Sequence, residues 1–100
     1  MKKALILALF SSAFLLEGAK SVEKPVLYSK SNCIYCQMVF LSVKGLEQKV
    51  EIRDVNDPSA RQELIKIGGK PQVPCLVINE VALYESDAII EYFNSLESMK

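Results

Sequence analysis

From Lys24 onward the apolar positions switch back and forth between two periods. "KPVLYS" (24–29) is a short apolar run behind a proline and predicts a strand. "NCIYCQMVFLSVKGL" (32–46) then changes step: Cys36, Val39, Phe40 and Val43 recur at helical spacing, with Gly45 placed as a C-cap and Leu46 as its apolar contact. "KVEIRDV" (49–55) alternates Val50 and Ile52 with polar residues and reads as a second strand. In "NDPSARQELIKIGGK" (56–70), Asp57 is the expected N-cap and Pro58 the first helical residue. Ala60, Leu64 and Ile67 form that helix's inner face, and Gly68-Gly69 end it.

"QVPCLVIN" (72–79) is apolar and β-branched, with a proline that a central strand would normally exclude. "EVALYE" (80–85) supplies a turn and a further strand. "SDAIIEYFNSLESM" (86–99) is a last helix, with Ser86 as expected N-cap, Asp87 at its positive end, and Ala88, Ile89, Tyr92, Phe93 and Leu96 on one face. The order is β-α-β-α-β-β-α. The first β-α-β unit should be parallel with a right-handed crossover, and the closely spaced third and fourth strands an antiparallel hairpin.

The first residues break this pattern. Lys2 and Lys3 precede "ALILALFSSAFLL" (4–16), which carries no charge. This is the layout of a secretory signal. As a helix the run spans about 20 Å, short of the roughly 30 Å hydrocarbon core of a bilayer. Residues 1–19 are therefore expected to be a signal peptide or an N-terminal membrane-proximal segment, with residues 22–98 as one domain. Ala19 suits a cleavage site, while Glu17 occupies a position where a small residue is preferred. Export to a periplasm, or membrane association through residues 4–16, is the expectation; a buried segment of a cytoplasmic fold is the alternative.

Composition removes several function classes. Twelve basic and twelve acidic residues cancel, and no basic stripe marks a nucleic-acid partner. There is no histidine, so histidine bases, histidine-containing triads and His-bearing zinc sites are excluded. Three cysteines without histidine cannot supply four tetrahedral ligands from one chain, and no metal is expected.

Two of the three cysteines, Cys33 and Cys36, stand in a C-x-x-C at the junction of the first strand and first helix. A bridge across so short a loop removes little unfolded-state entropy, so it is a poor staple. Exchange chemistry or metal ligation explains the spacing better. Ser31 or Asn32 is expected to cap the helix and place Cys33 in its first turn. There the free N–H groups and the helix dipole favour a thiolate, and Lys30 adds to that effect. Cys36, on the same side and more buried, suits a resolving thiol. C-x-x-C beside a β-α-β pattern is the mark of a thioredoxin-like redox motif.

"SKSNCIYCQ", "QVPCLVI" and "YESDAIIEYF", in this order, resemble the glutaredoxins and related glutathione-binding thioredoxin-fold domains. The resemblance covers about residues 24–97. It implies an α/β thioredoxin-like fold with a four-stranded mixed sheet and three helices. It also implies a glutathione-dependent thiol–disulfide oxidoreductase. Its partners would be glutathione and disulfide-containing or glutathionylated proteins, and it would act as a monomer. In that family Cys33 would be the nucleophile and Cys36 the resolver. Pro74 would be a cis-proline facing the site, and Val73 would offer its backbone to the cysteinyl unit of glutathione. Ser86 and Asp87 would take the γ-glutamyl end, Lys30 the glycine carboxylate, and Tyr35 would flank the groove. Each also has a plainer role open to it: Lys30 as a solvated lysine, Tyr35 as packing, Ser86 and Asp87 as caps, Pro74 as a trans edge-strand proline.

Two positions depart from the family's pattern. Ile34 stands where a proline is usual and restores a backbone N–H in the first helical turn. Cys75 directly follows Pro74, either as an inward-facing small hydrophobe or as a third thiol near the site. "QVPCLVI" and "LYESDAIIEYF" also resemble the N-terminal half of glutathione transferases, which gives a second enzymatic reading. A third reading is a non-catalytic module that binds glutathione or carries an iron–sulfur cluster between subunits.

Overall fold

A computed structural model describes residues 24–99. The expected leader, residues 1–19, lies outside them. Four strands form one mixed sheet: β1 (Val26–Ser29), β2 (Glu51–Asp54), β3 (Cys75–Ile78) and β4 (Val81–Leu83). Their order is β2-β1-β3-β4. As expected, β1 pairs with β2 in parallel, with Leu27 beside Ile52. β3 runs antiparallel to β1, setting Tyr28 opposite Cys75, and β4 closes the hairpin with Leu83 opposite Leu76.

The helices are α1 (Ile34–Ser42), α2 (Leu46–Lys49), α3 (Pro58–Gly68) and α4 (Ser86–Ser98). The short α2 adds a fourth helix to the three expected. Its origin is Gly45, which does not cap α1. Val43 ends α1, and Gly45 adopts the left-handed conformation (φ 69°) that starts α2. Leu46 is thereby buried as the first residue of a new turn.

Side-chain alternation along the central strands builds two cores. On one face Leu27 and Leu76 pack with Val39, Val43, Leu46, Val50, Ile89 and Phe93 from α1, α2, α4 and the start of β2. On the other, Tyr28, Cys75 and Val77 pack with Ala60 and Leu64 of α3 and with Val55. Ile52 sits on the edge strand and stays 40% exposed, so the alternation read there buries Val50 but not its neighbour. Leu96, expected on the inner face of α4, lies near the helix end and is also exposed.

α3 begins as its sequence dictates. Asp57 accepts the Ser59 N–H at 3.0 Å and Pro58 follows it. An ionic cluster ties α3 to the sheet: Glu63 accepts from Arg53 at 2.7 Å and from the Tyr28 hydroxyl at 2.8 Å. α1 carries no charged residue. Its inner positions Cys36 and Val39 are buried, while Ile34, Tyr35, Met38 and Leu41 face outward.

Candidate functional site

The first helix positions the cysteine pair. Asn32 adopts a left-handed conformation (φ 63°), which asparagine tolerates better than most residues. That turn places Cys33 itself at the N-cap of α1, not within the first turn behind a Ser31 or Asn32 cap. Its sulfur therefore does what a serine or aspartate oxygen usually does. It accepts the Cys36 N–H at 3.2 Å, satisfying one of the helix's free donors. The end of α1 that favours negative charge points at this sulfur. Cys33 is 9% exposed and Cys36 only 1%, and the two are joined as a disulfide.

Opposite the pair lies the connection from α3 to β3. The Val73–Pro74 peptide is cis, as the resemblance implies. Val73 O lies 3.9 Å from Cys33 Sγ, so the pair and the 73–74 backbone face one another. Beside them a groove of about 340 Å³ is lined by Tyr35, Met38, Gln72, Val73, Pro74, Tyr84, Glu85, Ser86 and Asp87. Five residues singled out from the sequence thus meet in one wall. Lys30 follows β1, is exposed, and does not line the groove.

Four groove residues were not singled out from sequence. Gln72 lies within "QVPCLVI", and Tyr84 and Glu85 lie within "YESDAIIEYF"; their place in those motifs was the available signal. Met38 stands three positions after Tyr35 on the same helix, a spacing that puts the two side chains together.

The start of α4 differs from expectation in one respect. Glu85 holds the N-cap position without a side-chain capping bond, Ser86 is the first helical residue, and Asp87 lies in the first turn. The Ser86 hydroxyl is thereby not spent on capping. The backbone N–H groups at this end and the Asp87 carboxylate offer paired recognition for a carboxylate and an ammonium.

Cys75 takes the first of its two possible roles. It is fully buried against the α3 side of the sheet. Burial pushes its thiol up to about 11, against the lowering effect of hydrogen bonds with the Leu83 backbone and Tyr84. A neutral, enclosed thiol of this kind behaves as a small hydrophobe. Among the described residues no group of three or more histidine, cysteine, aspartate or glutamate side chains could hold a metal ion. Nor is any described helix long and apolar enough to cross a membrane.

Comparison with known proteins agrees with this geometry. The family model "Glutathione S-transferase, N-terminal domain" matches residues 27–100. The chain is 34% identical over 74 residues to "Probable maleylacetoacetate isomerase" of Caenorhabditis elegans, covering 72% of this chain and 35% of that protein. It thus spans about a third of that relative's length. Among solved structures it resembles glutathione transferase Omega 3C from Trametes versicolor (TM-score 0.64, 26% identity), covering 86% of this chain and 39% of that one. It shares its fold with oxidised glutaredoxin 2 from Chlamydomonas reinhardtii (TM-score 0.54, 22% identity), covering 72% of each chain. With a mixed four-stranded sheet, a cis-proline facing a C-x-x-C, and a family match across nearly all the described residues, this chain belongs to the thioredoxin-fold family of glutathione S-transferase N-terminal domains.

Proposed function

We propose that the chain is a glutathione-dependent thiol–disulfide oxidoreductase acting on glutathione mixed disulfides and protein disulfides. One observation carries this reading: the Cys33 sulfur caps α1, is paired with Cys36, and lies 3.9 Å from the Val73 carbonyl beside the groove.

In the reduced protein the Cys33 thiolate attacks the glutathionyl sulfur of a mixed disulfide. The substrate leaves as a thiolate, and Cys33 is joined to glutathione. A second glutathione thiolate attacks the bound glutathionyl sulfur, releasing glutathione disulfide and restoring Cys33. With a protein disulfide, Cys33 first forms a mixed disulfide with the substrate. Cys36, buried behind it, then attacks Cys33 and expels the substrate's second thiolate. The resulting Cys33–Cys36 disulfide is returned to thiols by two glutathione molecules. Val73 would pair with the cysteinyl unit of glutathione through its backbone, while Ser86 and Asp87 would hold the γ-glutamyl end and Lys30 the glycine carboxylate. The uncharged run at residues 4–16 supports an exported or membrane-surface setting for this chemistry.

The second reading is a glutathione transferase or isomerase using the same groove, with the Cys33 sulfur near the reacting atoms. Family membership and the Caenorhabditis elegans relative favour it. Reduction of a glutathionylated peptide separates the two. Under the first reading Cys33→Ser abolishes turnover, and Cys36→Ser keeps it for mixed disulfides but loses it for protein disulfides. Under the second, Cys36→Ser has no effect on conjugation or isomerisation, and neither disulfide substrate is turned over. Alkylation of reduced Cys33 against pH should give a pKa below the free-cysteine value of about 8.5. A value at or above that would remove the activated nucleophile from the first reading.

A further inference from the structure

Residues 69–74, between α3 and β3, read Gly-Lys-Pro-Gln-Val-Pro and form an arch outside the strand ladder. The arch carries Val73, yet its own sequence offers little to hold it: two of its six residues are prolines without an N–H. A side chain from elsewhere ties it down. Tyr84, just past β4, donates its hydroxyl to the Lys70 carbonyl oxygen at 2.8 Å. The Lys70 ammonium lies over the same ring, 4.7 Å from its centroid. The ring and hydroxyl occupy the space that a β-carbon on Gly68 would need. Tyr84 also packs against the core cluster that contains Cys75, the residue just past the arch. One side chain therefore abuts the residue before the arch, bonds a residue within it, and packs in the cluster that holds the residue after it. That same side chain lines the groove beside Val73.

We propose that Tyr84 is a positioning residue: through its hydroxyl it holds the 69–74 arch so that Val73 already presents its backbone to the groove before glutathione arrives. The inference rests on the glutathione-dependent reading above. An arch free to move would have to be ordered at each binding event, and that cost would appear as weaker binding. The hydroxyl shifts the ordering into folding. Its effect falls on affinity and not on the sulfur chemistry, because Tyr84 contacts the arch and Cys33 is stabilised by its own helix.

The test compares the full chain with Tyr84→Phe, which keeps the ring over Gly68 and under Lys70 but loses the hydroxyl. The substrate is a glutathionylated peptide with glutathione in excess. KM for the peptide should rise about three- to tenfold, the range expected for one lost hydrogen bond. kcat should stay within about twofold, and the pH dependence of Cys33 alkylation should not move. Independently of activity, backbone amide order parameters at Gln72 and Val73 should fall in the unliganded variant while those of Leu27 and Leu76 hold. An unchanged KM, a fall confined to kcat, or unchanged order parameters would overturn the proposal. A wild-type chain that does not turn over the peptide at all removes the glutathione-dependent reading and this inference with it. A wild-type chain that turns over and a variant that matches it remove this inference alone.

Discussion

Cys75 illustrates how one side chain's surroundings set a pH limit on the whole fold. Burial pushes its thiol well above the free-cysteine range, up to about 11. Tyr28 moves the same way, from 10.0 to about 12, first through burial and then through its bond to the Glu63 carboxylate. Between the unfolded and folded values the native chain keeps protons that the unfolded chain has lost. Unfolding releases them, so stability is intact below about pH 9 and falls as pH rises toward 11 and beyond. Each full pKa unit corresponds to about 1.4 kcal/mol, so Cys75 alone accounts for a loss of up to roughly 3 kcal/mol. Urea midpoints taken from pH 8 to pH 11 should decline in the wild type. In Cys75→Ala the slope between pH 9 and 11 should flatten, although the variant starts lower because of the space it leaves. An equal slope in both proteins would place the alkaline weakness elsewhere.

At the scale of elements, residues whose local chemistry has one solution were legible in the sequence. Asp57-Pro58 specifies a helix start by a capping oxygen and a fixed φ, and α3 begins there. Asp57→Ala should cost about 1 kcal/mol in urea unfolding and leave Cys33 reactivity unchanged. Where two residues compete for one role, the sequence was ambiguous. Ser31, Asn32 and Cys33 all stand before α1, and a sulfur is a weaker acceptor than an oxygen. The decision came from Asn32 entering the left-handed region, which no pattern of hydrophobicity encodes. Gly45 likewise suited a helix end or a helix start, and only the packing of Leu46 beneath a separate turn decides between them. Most of the groove wall was readable because three short motifs carry it. Tyr84 and Met38 were not, because their roles depend on the arch and on the neighbouring turn of α1, which only the three-dimensional arrangement brings together.

Across the whole molecule, the sheet separates a core under α3 from a core under α1, α2 and α4. The cysteine pair belongs to the second side, and Leu64 anchors the first. Leu64→Ala should lower stability by about 2–5 kcal/mol, read as the urea midpoint. The reactivity of Cys33 should nevertheless be preserved in the fraction that remains folded, because distant and unshared contacts act nearly independently. A shift in its alkylation profile would mean that the two layers are coupled through β1 and β3.

The place of Tyr35, between Cys33 and Cys36 and 59% exposed, has an optical consequence. The chain contains four tyrosines and no tryptophan, so phenol emission is not masked by indole. A neighbouring disulfide drains an excited phenol by accepting its electron, whereas two thiols do so far less. Tyrosine emission should brighten on reduction, and Tyr35→Phe should remove most of that gain. The molecule would then report its own oxidation state without an added dye.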